Sequence, residues 1–396
     1  MLKKYKEPVQ KQHLPTVLGE DAGRLIQQLQ HHTQMIFPPH AKKTIRNFSP
    51  AEAAYFIGIS DNYLRKFAQE LDLPVGANGK RSFSIPEMNS IRSMLQQKNT
   101  DVDYIRHRRD DEGLQVISLV NFKGGSAKTT TSAHLAQYLA LRGYRTLAID
   151  LDPQASLTTL FGMTPETEVN KDDTLYSAIR YEDVRPISEL IWETYIPGLD
   201  LIPANLELAE FEHDTPKALI NHNLQTKFYS RISEALSPIE QHYDVVIIDS
   251  APQLGFLTMS ALCASTSILI TVHPEMLDVL SMSQFLLMMR DLMSVIDQAG
   301  GKAEYDWIKY LMTRYEPNDM PQYQMSSFMR SIFGKRVLEN AMLKSTAISD
   351  AGVTKKTLYE VERSDFTRST YDRAMESLNS VNGEVEALIR EVWGRA

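Results

Sequence analysis

The segment FKGGSAKTT at residues 122–130 has the residue types of a phosphate-binding loop. Glycines and small side chains let an anion approach the backbone N–H groups, and a helix predicted to begin near Lys128 would point its N-terminus at the same anion. Lys128 is expected to reach the β- and γ-phosphates of a nucleotide, and the Thr129 hydroxyl is expected to bind Mg²⁺. The segment departs from the pattern G-x-x-x-x-G-K-[ST], because Phe122 and Ala127 occupy its two glycine positions. The predicted nucleotide-binding residues of the loop are Lys123, Gly124, Gly125, Ser126, Ala127, Lys128, Thr129 and Thr130.

Two carboxylates at predicted strand ends complete the candidate site. Asp152 in LAIDLDPQ and Asp249 in YDVVIIDSAP each follow an apolar run. The carboxyl ends of neighbouring strands in an open parallel sheet line one crevice, so both side chains can face the loop. We expect Asp249 to hold Mg²⁺ through water, because Mg²⁺ keeps much of its hydration. Asp152 is expected to position or activate the attacking water and to reach the metal through water.

The elements that must position these residues alternate between strand and helix from residue 115 onward. The predicted strands are LQVISLVN, YRTLAIDLD, LDLIPA, YDVVIIDSAP, SILITVHP and WIKYLMTRY. A helix is predicted from Lys128 to Leu141, ended by Gly143. Such alternation predicts an α/β fold with a mostly parallel, doubly wound sheet. We assign this domain to residues 114–396.

An all-α arm is predicted in front of that domain. Residues 1–40 contain an amphipathic helical pattern over 14–37, which either packs on its own domain or forms a dimer contact. Residues 41–98 are predicted to be a winged helix-turn-helix, because two short helices flank Gly58 and a basic turn at 79–81 precedes a third helix. The polar residues 99–113 are interpreted as a linker. The predicted DNA contacts of the arm are Ser60, Asn62, Tyr63, Arg65, Lys66, Lys80 and Arg81.

The charge distribution separates the arm from the rest of the chain. Residues 1–110 contain 17 Lys and Arg against 11 Asp and Glu, whereas the remainder contains 25 against 39. A basic arm favours an anionic polymer as its partner. The single cysteine, Cys263, excludes a disulfide framework within one chain and suits a reducing cytosol. We see neither a secretory signal nor an apolar run long enough to span a bilayer, so a cytoplasmic protein is expected.

These motifs together resemble the deviant-Walker ATPases of the ParA/MinD group, whose loop pattern is K-G-G-x-x-K-[ST]. KGGSAKTT, DLDPQ and VVIIDSAPQLG match the three motifs of that family in order. With its N-terminal arm the chain resembles the larger plasmid-partition ATPases, and FSPAEAAYFIGISDNYLRK is most similar to the RepA proteins of repABC plasmids and to the SopA type. Many relatives have Val and Gly where this chain has Ser126 and Ala127.

The resemblance implies ATP and Mg²⁺ as ligands and an ATP-sandwich homodimer. Lys123 would then be the signature lysine that reaches the partner's phosphates, which makes Lys123, Lys128 and Asp152 the expected catalytic residues. The adenine base is expected near Met312, Thr313 and the segment after Pro274.

The resemblance also implies a nucleoid-associated bacterial protein that moves plasmid copies. Its ATP-bound dimer would coat nonspecific DNA, a ParB-type centromere-binding partner would stimulate hydrolysis, and the arm would repress its own operon. The expected nonspecific contacts are Lys344, Lys355 and Lys356. An alternative is a nucleotide-switched transcriptional repressor with little motor role. The membrane-binding MinD branch is disfavoured, because Glu384, Glu386 and Glu391 flank the apolar face of the last helix, which we expect to pack on the domain.

Overall fold

The computed structural model describes residues 13–36, 43–70, 81–121, 123–220 and 227–395 of the chain. The chain divides into two compact units after Lys43. The first unit contains helix α1, Leu14–Ile36, and the side chains of Leu14, Leu18 and Leu25 are exposed. The helix predicted over 14–37 is thereby confirmed, while its role in dimerisation stays a prediction.

The second unit is built on one sheet of seven strands. They are β1 Gln115–Val120, β2 Thr146–Leu151, β3 Trp192–Glu193, β4 Leu199–Ile202, β5 Val245–Ser250, β6 Ser267–Val272 and β7 Trp307–Met312. The strand order is β3-β4-β2-β5-β1-β6-β7, and every pairing is parallel except that of β3 with β4. The predicted mostly parallel α/β fold is therefore confirmed. Six strands coincide with the predicted apolar runs, and the sequence does not predict the short edge strand β3.

Helices precede the sheet and connect its strands. In the described part of the second unit, the helices before β1 are α2 Pro50–Ile57, α3 Asp61–Glu70 and α4 Ile85–Lys98. Those up to β5 are α5 Lys128–Arg142, α6 Ser156–Leu160, α7 Pro165–Glu168, α8 Tyr176–Ile179, α9 Glu210–Ile220 and α10 Arg231–Leu236. The later ones are α11 Phe256–Ala264, α12 Met276–Gln298, α13 Met320–Phe333, α14 Thr346–Val353 and α15 Arg368–Val392.

Both faces of the sheet are covered by helices. Ile117 and Leu119 of β1 belong to a core that they share with α5 and α15. Val116 packs with residues of α10 and α11, and Val120 packs with residues of α12. Because successive side chains of a strand point to opposite faces, this division gives the doubly wound arrangement that the sequence predicts.

The arm contains the two short helices and the tight turn that the sequence predicts. The Ser49 hydroxyl accepts the Glu52 N–H, and the Glu52 carboxylate accepts the Ser49 N–H at 2.9 Å, a reciprocal cap at the start of α2. Gly58 ends α2 with φ +88°, a left-handed conformation that favours glycine. Phe48 and Phe83 exchange two backbone hydrogen bonds of 2.8 Å and so join the segments before α2 and α4.

Helices α2, α3 and α4 pack directly on the α/β domain. The Phe56 ring meets the rings of Tyr138 and Tyr359 edge to face, with centroids 6.1 and 6.0 Å apart. The buried residues of α2, α3 and α4 belong to the same core as those of α5 and α15. This continuity explains why residues 44–396 form one compact unit.

Residues 99–113 are also fixed to the domain. Arg106 makes an ion pair of 2.9 Å with Glu386 of α15, and both side chains are buried. The Arg108 backbone N–H donates to Asp244 at 2.9 Å, and its guanidinium donates to the Tyr243 carbonyl at 3.0 Å. Two of the charged residues that make this stretch resemble a linker, Arg106 and Arg108, therefore make long-range contacts with the domain.

Helices α12 and α15 are the two helices to consider for crossing or binding a membrane. Helix α12 is apolar and long enough to cross a bilayer by length and composition alone. One such helix is weak evidence, because core helices of water-soluble proteins pass the same test. Met282, Phe285 and Ile296 of α12 are buried against the sheet, whereas only 17% of its 18-residue apolar window is buried. In α15, Val385 and Ile389 are fully buried, which confirms that the C-terminal helix packs on the domain.

Candidate nucleotide-binding site

The loop between β1 and α5 has a backbone that suits anion binding. Gly125 has φ +79°, and Ala127 has φ +62° immediately before the first residue of α5. A Cβ added at Gly124 would meet no heavy atom within 4 Å, so the space above the loop is open. The left-handed conformation of Ala127 costs a residue other than glycine about 1–2 kcal/mol, so glycine is the residue best suited to this position.

Hydrogen bonds from neighbouring strands hold the loop in place. The Asn121 amide oxygen accepts the Lys123 N–H at 2.9 Å, which fixes the entry to the loop. The Thr271 hydroxyl, at the end of β6, lies 3.1 Å from the Ser126 hydroxyl. The Thr313 hydroxyl, after β7, donates to the Ser126 carbonyl at 2.9 Å. The loop is thus preorganised by three strands of the sheet.

Lys128 and Asp249 lie together behind the loop, and both are buried. Burial lowers the pKa of Lys128, while the charges of Asp249 and Asp152 raise it. Burial raises the pKa of Asp249, and the hydroxyls of Thr129 and Ser132 oppose that shift. Lys128, Asp152 and Asp249 are therefore close enough for their charges to act on one another.

The residues present fit a magnesium ion. The Ser132 hydroxyl donates to Asp249 Oδ1 at 2.8 Å, whereas Asp249 Oδ2 is buried with no hydrogen-bond partner in the described part of the chain. A buried carboxylate oxygen without a partner is costly, so it points to a ligand. With Thr129 in the first turn of α5, the site offers a hydroxyl and a carboxylate, which are oxygen ligands of the kind that Mg²⁺ takes.

The two carboxylates of the β2 end have different surroundings. Asp150 is fully buried, and its Oδ2 accepts the N–H and the hydroxyl of Thr158, both at 2.8 Å. Burial and the charge of Asp249, its partner in the β2–β5 register, raise the pKa of Asp150. Asp152 is only partly buried, and its Oδ1 accepts the Gln154 N–H at 3.0 Å. Asp150 therefore holds the chain after β2 through Thr158, whereas Asp152 lies close enough to Lys128 for its charge to raise the pKa of that lysine.

Lys123 turns away from the loop toward the start of α12. Its ammonium makes an ion pair with Asp278, and 46% of the side chain is exposed. Asp278 also lies 3.4 Å from His273 Nδ1. The side chain of the predicted signature lysine is therefore outside the phosphate cradle of its own chain.

The residues predicted near the base lie at the ends of β6 and β7. Met312 and Thr313 are fully buried, and Pro274 is buried after β6. The Met312 side chain belongs to the hydrophobic core, and the Thr313 hydroxyl is used by the loop. Contact with a base at these two positions would come from the backbone, and it stays a prediction.

Four of the predicted DNA contacts of the arm lie on the exposed face of α3. Asn62, Tyr63, Arg65 and Lys66 of α3 are exposed, while Leu64 and Phe67 between them are buried. The Ser60 hydroxyl accepts the Tyr63 N–H at 3.2 Å, so it caps α3. Arg65 makes an ion pair of 2.8 Å with Asp61. Arg81 is partly buried, and Lys80 lies outside the described residues.

The lysines predicted to bind nonspecific DNA lie at opposite ends of α14. Lys344 precedes the helix and makes an ion pair of 2.8 Å with Glu316. Lys355 and Lys356 follow the helix and are partly buried. Lys344 lines a surface pocket with Ser345, Thr346, Ser369, Thr370 and Arg373. The three lysines therefore do not form one cluster.

Several residues of the site were not predicted. Asn121, Thr271 and Thr158 act through partners that are distant in sequence, so no local pattern identifies them. Ser132 is different, because it lies four residues after Lys128 on the same helix. Residues at this spacing share a helix face, and that signal was available in the sequence.

The fold and this arrangement of loop, buried lysine and strand-end carboxylate define a P-loop nucleotide-binding protein. A family model described as an AAA domain matches residues 114–299. Two relatives extend the likeness into the arm. A replication protein A of Rhizobium rhizogenes is 55% identical over 388 residues, covering 96% of each chain. The SopA protein of Escherichia coli K12 is 29% identical over 338 residues, covering 81% of this chain and 82% of its own.

Solved structures of other proteins have a similar fold. A partition protein covers 95% of this chain and 99% of its own, with a TM-score of 0.59 and 16% identity, which shows the fold. Cobyrinic acid a,c-diamide synthase from Mycobacterium smegmatis, with bound ADP and magnesium, covers 61% of this chain and 91% of its own at 26% identity and a TM-score of 0.50. The chain belongs to the ParA family of partition ATPases, with relatives of the replication protein A and SopA type.

Proposed function

We propose that this protein is a plasmid-partition ATPase whose ATP-bound homodimer binds nonspecific DNA. A ParB-type centromere-binding partner stimulates hydrolysis, and the arm represses the protein's own operon. The observation that carries the proposal is the buried pair of Lys128 and Asp249 behind an open glycine loop, with one Asp249 oxygen left for a ligand. The protein acts in the bacterial cytoplasm, on the nucleoid.

In this proposal ATP is the substrate and its phosphates lie on the loop. Lys128 binds the β- and γ-phosphates, and Asp152 positions the attacking water. Thr129 would bind Mg²⁺, and Asp249 would hold it through water. When bound, the metal neutralises charge on the phosphates. Positioning and charge neutralisation of this kind supply most of the catalysis in phosphoryl transfer.

Lys123 acts across the dimer interface. Its half-exposed side chain reaches out of its own site and makes an ion pair with Asp278, whose side chain is largely buried. A phosphate of the partner's ATP can replace Asp278 as its counter-ion. This exchange links nucleotide binding to dimer formation.

DNA is bound at two surfaces with different tasks. The exposed face of α3 reads the operator, because Asn62, Tyr63, Arg65 and Lys66 project from it next to the buried side of the helix. Nonspecific DNA is bound through Lys344, Lys355 and Lys356. Contacts of lysine with the phosphate backbone give affinity that is independent of sequence and falls with salt.

The first test is binding to random-sequence duplex DNA with ATP, with ADP and without nucleotide, at two salt concentrations. We expect the wild type to bind DNA only with ATP and more weakly at higher salt. We expect Lys128→Ala to lose this ATP-dependent binding. Lys217→Ala is the matched control, since Lys217 is an exposed lysine of α9. Binding restricted to one operator and indifferent to ATP would favour the repressor alternative. ATP-dependent binding to anionic vesicles would contradict a role on DNA alone.

The second test concerns hydrolysis. Asp152→Ala is expected to bind ATP normally and to hydrolyse it hardly at all, because the water loses its positioning group. Asp297→Ala, at an exposed position near the end of α12, is the control. Undiminished turnover by the Asp152 variant would remove that residue from the mechanism.

A further inference from the structure

Arg314, the second residue after β7, has a strained backbone conformation. Its φ is +52°, in the left-handed region that residues other than glycine seldom adopt. Hydrogen bonds of its two neighbours impose this conformation. The Thr313 N–H donates to the Val272 carbonyl at 2.8 Å, and the Tyr315 N–H donates to the Met342 carbonyl at 3.0 Å. Strain that the surrounding structure maintains is found most often at functional sites.

The strained backbone directs the Arg314 side chain over the phosphate loop. Its Nη1 donates to the Gly125 carbonyl at 3.2 Å, and it would lie 3.8 Å from a Cβ added at Gly125. The side chain is exposed, and no carboxylate of the described residues makes an ion pair with it. A guanidinium has five N–H donors, so one neutral carbonyl leaves most of them and the whole charge available.

Charged groups of both signs surround Arg314. Burial lowers the pKa of His273, and the charges of Arg314, Lys123 and Lys344 act in the same direction, against Glu275. Lys123 and Lys344 each have a carboxylate partner, Asp278 and Glu316 respectively. Arg314 differs from both lysines because its contact is with the loop itself.

We propose that Arg314 is a nucleotide-binding residue whose guanidinium donates to the phosphates of ATP held on the loop of its own chain. The inference rests on the proposed function and adds a residue to the same site. Guanidinium and phosphate match in charge and in planar, two-point geometry, so Arg314 can keep its bond to Gly125 and still offer a second edge to a phosphate oxygen. The structural alternative is that Arg314 only braces the loop.

The test compares the affinity of the full-length protein for a fluorescent ATP analogue among the wild type, Arg314→Asn and Arg314→Lys. Asparagine tolerates the left-handed conformation, so it removes the charge without adding strain. Lysine retains the positive charge but lacks the planar, two-point donor geometry of a guanidinium. We expect Arg314→Asn to bind ATP roughly ten- to a hundredfold more weakly than the wild type, which corresponds to the loss of a charged hydrogen bond. The affinity of Arg314→Lys is expected to lie between those of the wild type and Arg314→Asn. Melting temperatures without nucleotide are expected to agree among the three proteins.

Two outcomes overturn the inference. Unchanged ATP affinity in Arg314→Asn would mean that the side chain only braces the loop. Equal losses in the asparagine and lysine variants would mean that charge is not what the nucleotide requires. A wild-type protein that does not bind ATP would instead refute the proposed function, so the two failures are distinguishable.

Discussion

Replacement of Glu386 is expected to destabilise the protein more than any surface change. This carboxylate of α15 is buried and accepts from Arg106 and Arg142, both at 2.9 Å. The hydroxyls of Tyr138 and Tyr144 donate to it at 3.2 and 3.1 Å. One carboxylate therefore compensates two buried guanidinium groups, one from the segment before β1 and one from the end of α5.

The magnitude follows from the charges that would remain. Removing one partner of a buried ion pair costs about 3–5 kcal/mol, because the other charge stays buried without compensation. Arg92 adds a third guanidinium nearby. Burial and the charges of Arg142 and Arg106 together lower its pKa to about 9, and Glu386 acts in the opposite direction. Glu386→Gln keeps the shape and one acceptor oxygen, so we expect a loss of about 3 kcal/mol, a large share of a typical folding free energy.

The assay is urea-induced unfolding followed by circular dichroism, together with limited proteolysis of residues 44–113. Glu391→Gln is the control, because Glu391 lies on the same helix and is exposed. The control is expected to change the free energy of unfolding by less than about 0.5 kcal/mol. A loss below about 1 kcal/mol in Glu386→Gln, with unchanged proteolysis, would refute the view that this carboxylate holds the arm to the domain.

Three further outcomes are expected. Burial lowers the pKa of His134 to about 4, and the neutral ring bonds to the Thr130 carbonyl and the Leu358 N–H. The unfolded chain therefore binds more protons between about pH 6.5 and pH 4, and acidification from pH 6.5 to 5 should cost about 2 kcal/mol of stability through this group. Unfolding of His134→Gln at both pH values should show a smaller loss, and an equal loss would contradict the assignment. Ala127→Gly should bind ATP at least as well as the wild type, whereas Ala127→Val, with a β-branched residue at positive φ, should lose both stability and ATP binding in thermal-shift and binding assays. The double variant Arg65→Ala and Lys66→Ala should weaken operator binding in a gel-shift assay and leave basal ATPase activity intact; undiminished operator binding would remove DNA recognition from α3.

Sequence patterns predicted the sheet well because its strands are buried on both faces. Long apolar runs bounded by polar residues mark β1, β2 and β4 to β7, and the acidic residues at two of their ends mark the site. Strand β3 has two residues, Trp192 and Glu193, too few for any periodicity to appear. Its existence depends on its pairing with Leu201 and Asp200.

Contacts between distant residues account for most of what the sequence could not predict. The arginines of residues 99–113 have the composition of a linker, yet Arg106 reaches Glu386 and Arg108 reaches Asp244. In the site, too, the sequence does not distinguish the two carboxylates. Asp150 accepts a hydrogen bond from the Thr158 side chain, whereas Asp152 accepts only from the nearby Gln154 N–H among the described residues. Residue type indicated the chemistry, and only the packing assigned it to particular atoms.

The way α2 rests on the end of α5 has a consequence for the evolution of such chains. Arg142, the last residue of α5, donates to the carbonyls of Tyr55 and Phe56 at 2.6 and 3.0 Å, and the Phe56 ring packs on Tyr138 of the same helix. An arm exchanged for that of a distant relative would leave these donors and this apolar surface unmatched. Residues 44–113 and the α/β domain should therefore be inherited together, and recombination should succeed more readily at other positions of the chain than at the junction near residue 113.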